Sequence, residues 1–102
     1  MPAAYLIVES QVTDPELFKA YMDAAPAVVQ AFGGEYLVRG GRSKVLEGDW
    51  TPPRMTVLRY ASFEQAQAMY DSPGYVAARA LRHGATACFN MVLVEGLDAP
   101  PA

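Results

Sequence analysis

The sequence predicts one α+β domain whose elements follow the order strand, helix, strand, strand, helix, strand. Three observations carry the prediction: four runs rich in β-branched and aromatic residues, two apolar stripes at helical spacing between them, and a capping signal ahead of each stripe. At 102 residues the chain has room for one core and not two. A single domain is therefore expected over 1–102, with its core at about 4–96 and a tail at 97–102.

The first strand covers residues 5–12, Tyr-Leu-Ile-Val-Glu-Ser-Gln-Val, and stops at the turn formers Thr13, Asp14 and Pro15. Thr13 followed by Glu16 has the form of a capping box, with Pro15 in the first turn where its missing N–H costs nothing. Phe18, Tyr21, Met22, Ala25, Val28, Val29 and Phe32 then recur every three to four residues, and Gly33 and Gly34 close the helix. Pro26 lies inside this pattern and removes one backbone hydrogen bond; the expected result is a bend near residues 22–25, not a break.

Residues 35–40 and 54–61 are the next two strands. The connection between them, 42–53, contains Gly48 and Pro52-Pro53 and is long for a hairpin, a length that points to function. Ser62 with Gln65 repeats the capping signal, and Phe63, Ala66, Met69 and Tyr70 supply the apolar face of a second helix. Asp71-Ser72-Pro73-Gly74 interrupts it, and Ser72 caps a further segment running through Val76, Ala77, Ala80 and Leu81 to Arg82, His83 and Gly84. Residues 89–95 form the last strand and 96–102 a frayed tail.

This order describes a ferredoxin-like βαββαβ fold: a four-stranded antiparallel sheet with the helices on one face, as right-handed crossovers require. The other face is left bare. Yet Tyr5, Leu6, Ile7 and Val8 in the first strand, and Met91, Val92, Leu93 and Val94 in the last, are apolar on both faces. The simplest cover is the same face of a second copy, so a homodimer through the sheet face is expected.

Three stretches, YLVRGG at 36–41, VLEGDW at 45–50 and YDSPGY at 70–75, resemble the family catalogued as domain of unknown function 1330. The resemblance runs from about residue 4 to 96, with the stretches in the family's order. Gly74 stands where an acidic residue is commoner, and Met69 where a large aromatic often stands. What the resemblance implies is the dimeric α/β barrel superfamily and a dimer, without a reaction. Superfamily relatives include monooxygenases, lactone isomerases and haem-handling proteins.

Composition narrows the partners. A net charge of −3 leaves no basic patch for nucleic acid or an anionic membrane. No apolar run is long enough to span a bilayer, and no signal-like stretch opens the chain. One cysteine, Cys88, closes no intramolecular disulfide and builds no thiol metal cluster, which suits a reducing cytoplasm.

The residues expected to carry chemistry are few. Arg39, in an apolar strand, is expected to be partly buried and to hold either a protein acid such as Glu9 or Glu47, or a ligand carboxylate. Trp50 is placed in the long connection as a lid over a cavity at the barrel mouth, or as a loop anchor or dimer contact. Tyr70, Tyr75, Arg82 and His83 fall near the ends of the second helical segments, where a phenol, a cation and an imidazole together suit a bound acid. A pocket between sheet and helices, lined by Arg39, Trp50, Tyr70 and Arg82, is the expected ligand site. His83, the only imidazole, and Arg39 are the candidates for catalysis, with partnership to a helix C-terminus as the alternative for His83. No cofactor and no metal are expected, since no histidine, aspartate or glutamate spacing completes a ligand set. The reading is thus of a small-molecule binder, with a cofactor-independent enzyme as its extension and a non-catalytic homodimer as its alternative.

Overall fold

The computed structural model describes residues 2–97, and among them the elements are β1 (Ala4–Val12), α1 (Pro15–Ala31), β2 (Glu35–Arg39), β3 (Met55–Tyr60), α2 (Phe63–Asp71), α3 (Pro73–Ala80) and β4 (Thr86–Glu95). The four strands form one sheet in the order β2-β3-β1-β4, every neighbouring pair antiparallel. This is the predicted ferredoxin-like α+β architecture.

Alternation along β1 separates the two faces. Ala4, Leu6, Val8 and Ser10 are buried on the helix side, while Tyr5, Ile7 and Glu9 between them are half-buried on the other. The register carries this across the sheet: Leu6 sits opposite Leu58 and Leu93, and Ile7 opposite Val57 and Val92. The core is the helix-side layer, in which Leu6, Val8, Leu58 and Tyr60 meet Val29 of α1, Ala66 and Met69 of α2, and Tyr75 and Ala78 of α3.

Local chemistry differs from expectation at three ends. Asp14, not Thr13, caps α1: its carboxylate accepts from the Leu17 N–H at 3.1 Å, while the Thr13 hydroxyl donates to the Ala85 carbonyl at 3.2 Å. Thr13 is thus used to tie the start of α1 to the start of β4. The helix after Ser72 stops at Ala80 rather than at His83. Leu81, Arg82 and His83 close three-residue turns onto Ala78, Arg79 and Ala80, and Gly84, at φ +79, reverses the chain. The last strand begins at Thr86, because Thr86 still finds a partner in Val12 beyond an irregularity in the ladder.

Residue 96, expected to open a frayed tail, is instead held to the start of β1. The Gly96 N–H donates to the Ala3 carbonyl at 2.7 Å; residues from 98 onward lie outside the described region. No helix among the described residues is long and apolar enough to cross a membrane.

Candidate functional site

Two backbone irregularities build the site. The first is Pro26. Helix α1 runs unbroken past it from Pro15 to Ala31, but the missing N–H deprives the carbonyl of Met22, four residues earlier, of its helical donor. Arg39 supplies the replacement: its Nη2 donates to the Met22 carbonyl at 3.1 Å.

The second irregularity brings Arg39 to that place. In β2, Tyr36 pairs with Leu58 but Val38 pairs with Val57, so Leu37 is an extra residue in the ladder. An unbroken strand puts residues 36 and 39 on opposite faces; the bulge returns both to the helix side. Arg39 then lies with its guanidinium 4.8 Å from the centre of the Tyr36 ring. Arg39 is exposed rather than partly buried, and its partners are a backbone carbonyl and a ring, not Glu9 or Glu47.

Arg54 joins it from the far side of the long connection. A Cβ at Gly40 would stand 3.1 Å from the Arg54 guanidinium carbon, tight enough that Arg54 would have to shift, and the φ of +70 there favours glycine independently. Arg54 therefore lies against the backbone next to Arg39. The single ion pair among the described residues is Arg59 with Glu35, on the other face, so neither Arg39 nor Arg54 is neutralised by a protein acid there.

These two cations stand on the rim of a cavity of about 50 Å³ between the sheet and α1 and α3. Its floor is apolar, with Leu6, Val8, Leu58 and Met91 from the sheet and Phe18 and Val29 from the helix. Polar groups enter from Ser10, Thr56 and three phenols, Tyr21, Tyr36 and Tyr75. The hydroxyls of Tyr21 and Tyr75 are 2.6 Å apart, and Arg82 Nη1 approaches the Tyr75 oxygen at 3.4 Å while its guanidinium stacks 3.7 Å from the centre of Phe89. Burial holds the Tyr21 phenol far above its ordinary value of 10.0, with the neighbouring Tyr75 adding to the effect and Arg82 opposing it. Burial likewise raises Tyr36, against the opposing charge of Arg39.

Of the four residues expected to share a pocket, Arg39 alone lines this cavity. Trp50 is 58% exposed on the opposite side of the sheet, where its Nε1 donates to Glu9 Oε2 at 2.9 Å; Asn90 donates to the other oxygen of the same carboxylate at 3.0 Å. Tyr70 flanks a separate groove, its ring 4.2 Å from the Arg79 guanidinium. Arg82 stands behind the cavity wall, reaching it through Tyr75. His83 is exposed in a shallow depression with Arg79 and Arg82. Arg54, Tyr21 and Tyr36 were not legible as site residues: two occupy ordinary stripe and strand positions, and Arg54 depends on Gly40 for its place.

The cavity lining contains no carboxylate, imidazole, thiol or amine. Its chemistry is to bind an anion and to donate hydrogen bonds, and proton abstraction has no base in this lining. Among the described residues, no group of three or more His, Cys, Asp or Glu stands together to hold a metal ion.

The family model described as domain of unknown function (DUF1330) matches residues 3–97. No curated protein matches. Among solved structures, a protein of unknown function from Rhodopseudomonas palustris superposes with a TM-score of 0.73 at 18% identity, over 96% of this chain and 85% of that one. A protein from Bacteroides fragilis, described as dimeric and ferredoxin-like and of unknown function, gives 0.59 at 13% identity, over 92% and 96% of the two chains. A cofactor-independent oxygenase from Streptomyces nogalater gives 0.64 at 10% identity over 100% of both. At these identities the likeness is one of fold.

Proposed function

The chain belongs to the family described as domain of unknown function (DUF1330), and from that premise we propose that it binds a small organic acid between sheet and helices, as a homodimer joined through its uncovered sheet face. The observation that carries the binding reading is the pair Arg39 and Arg54 on the cavity rim, two guanidinium groups without a protein carboxylate among the described residues. A carboxylate is the ligand group that matches a guanidinium in charge and in its paired oxygens.

The dimer is supported by the bare face. Tyr5, Ile7, Val57, Val92 and Val94 line it, and Val92 is 60% exposed in the single chain. An apolar strip of this kind on an antiparallel sheet is expected to be covered, and the isologous contact with a second copy covers both at once. The Bacteroides fragilis relative in fold is described as dimeric.

Catalysis without a cofactor extends the reading, and the Streptomyces nogalater relative in fold is described as working in that way. With Tyr21 held neutral by burial, such an enzyme acts by polarising a ligand oxygen and leaves any proton abstraction to the ligand or to a group outside the cavity. The alternative, a homodimer without a ligand, is favoured by the cavity volume of about 50 Å³, well below that of ordinary drug-sized pockets.

A thermal-shift comparison separates these readings. Short-chain carboxylates at millimolar concentration are expected to raise the melting temperature of the wild type, since a ligand that binds only the native state stabilises it. Their uncharged amides are expected not to, and Arg54→Ala is expected to abolish the shift. Equal response to acids and amides, or no response to any, removes the binding reading and leaves the ligand-free dimer.

A further inference from the structure

We infer that the hydroxyl of Tyr21 is a second pole of the cavity, a donor turned toward the ligand, and that the acid bound there carries a second oxygen beside its carboxylate, as a 2-oxo acid does. The inference rests on the proposed binding of an acid by Arg39 and Arg54, and adds what the rest of the ligand must be.

The direction of the proton follows from satisfying the buried phenol first. Tyr75 is 1% exposed, and its hydroxyl has two polar neighbours within reach, Arg82 Nη1 at 3.4 Å and the Tyr21 hydroxyl at 2.6 Å. A guanidinium only donates, so Arg82 uses a lone pair of Tyr75 and offers nothing to its proton. The Tyr21 oxygen is then the acceptor for Tyr75. The reverse orientation leaves the proton of Tyr75, the more deeply buried of the two phenols, without a protein acceptor, an arrangement that protein interiors avoid.

With Tyr75 donating to Tyr21, the proton of Tyr21 itself remains free. Tyr21 is half-buried and lines the cavity. Its phenol stays protonated across the physiological range, so it acts as a donor and not as a base. The chain of polarised bonds from Arg82 through Tyr75 strengthens that donor.

The two poles line one cavity and are both tied to the same turn of α1. Tyr21 contributes its hydroxyl, and the carbonyl of Met22, the next residue, holds the Arg39 guanidinium. The cavity volume of about 50 Å³ admits about three to five waters, or a ligand of only a few heavy atoms. A short acid with an oxygen on the carbon next to its carboxylate offers a partner to each pole within that volume, and a long-chain acid exceeds it.

The test uses two acids that differ in that oxygen, pyruvate and propionate, titrated into the full-length protein by calorimetry. Wild type is expected to bind pyruvate about 5- to 10-fold more tightly than propionate, the effect of one added hydrogen bond. Tyr21→Phe, which keeps the ring packed on Phe18 and Phe89, is expected to bring that ratio to about one while propionate affinity stays unchanged. Equal affinities in the wild type, with propionate binding lost in Arg54→Ala, overturn the second pole but leave the acid site standing. A ratio retained in Tyr21→Phe assigns the discrimination elsewhere and also overturns it. Failure of both acids to bind overturns the acid site and this inference with it.

Discussion

The two faces of the sheet read alike in the sequence and end in different states. On the helix side Leu6, Val8, Leu58 and Tyr60 are almost fully buried within a single chain. On the other side Tyr5, Ile7 and Val57 are half-buried and Val92 and Val94 are exposed. The first face completes the fold; the second keeps apolar surface that folding of one chain does not use. Toward the Glu9–Ser10 end of β1 both faces become polar, with Ser10, Thr56 and the two arginines on one and the Glu9, Asn90 and Trp50 cluster on the other. Apolar residues hold the middle of the sheet, and this end is where polar groups collect.

Substitutions on opposite faces of neighbouring strands give the largest expected contrast. Leu58→Ala removes a buried side chain from the core and is expected to cost about 2–5 kcal/mol in denaturant unfolding, with the association state unchanged. Ile7→Glu sets a charge in the middle of the bare face, and is expected to convert dimer to monomer in analytical ultracentrifugation while each chain still folds. If Ile7→Glu unfolds the chain as Leu58→Ala weakens it, the two faces are not distinct, and the bare one belongs to the core of a single chain.

Tyr60 sharpens the contrast from inside the buried face. Its ring fills the space above Gly34, where any Cβ would stand 2.6 Å from it, and its hydroxyl has no hydrogen-bond partner among the described residues. Tyr60→Phe deletes the unpaired group and keeps the packing, so it is expected to raise stability by about 1 kcal/mol near neutral pH. Burial raises the phenol above its ordinary 10.0, with Tyr36 and Tyr75 adding to the shift. The folded phenol therefore resists ionisation, and its contribution is complete below about pH 10 and is lost as pH rises above it, when only the unfolded chain ionises. The advantage of Tyr60→Phe over wild type is expected to widen in urea melts above pH 10; a constant difference there means that the folded phenol titrates normally.

Regular features were legible in the sequence and irregular ones were not. The β-branched and aromatic run of β1, the stripe of α1 and the caps at Ser62 and Ser72 gave the element order, since each is a local signal. The apolar character of both faces of β1 and β4 gave the bare face. The bulge at Leu37 has no signature in YLVRGG, and without it Arg39 belongs to the wrong face. Trp50 and Tyr70 were grouped with Arg39 because they are aromatic and near turns, whereas position relative to the sheet depends on register. Pro26 was visible as a missing donor, but that its orphaned carbonyl belongs to Arg39 depends on two elements meeting.

Pro26→Ala isolates that meeting at the smallest expected change in stability. The new N–H at residue 26 is a helical donor for the Met22 carbonyl and competes with Arg39 for it. The helix gains a bond and loses a poor helix former, while the Arg39 bond is lost and the unfolded chain gains freedom. These contributions oppose one another, so the net change in unfolding free energy is expected to stay within about 1 kcal/mol. Acid binding is expected to weaken several-fold all the same, because Arg39 then has the Tyr36 ring but no fixed oxygen to orient it. Arg39→Ala is expected to lose more affinity than Pro26→Ala, and the double variant no more than Arg39→Ala alone, since both act through one guanidinium. Additive losses place the effect of Pro26 in the helix itself, and unchanged affinity in Pro26→Ala means that the rim needs the charge of Arg39 without its seat on Met22.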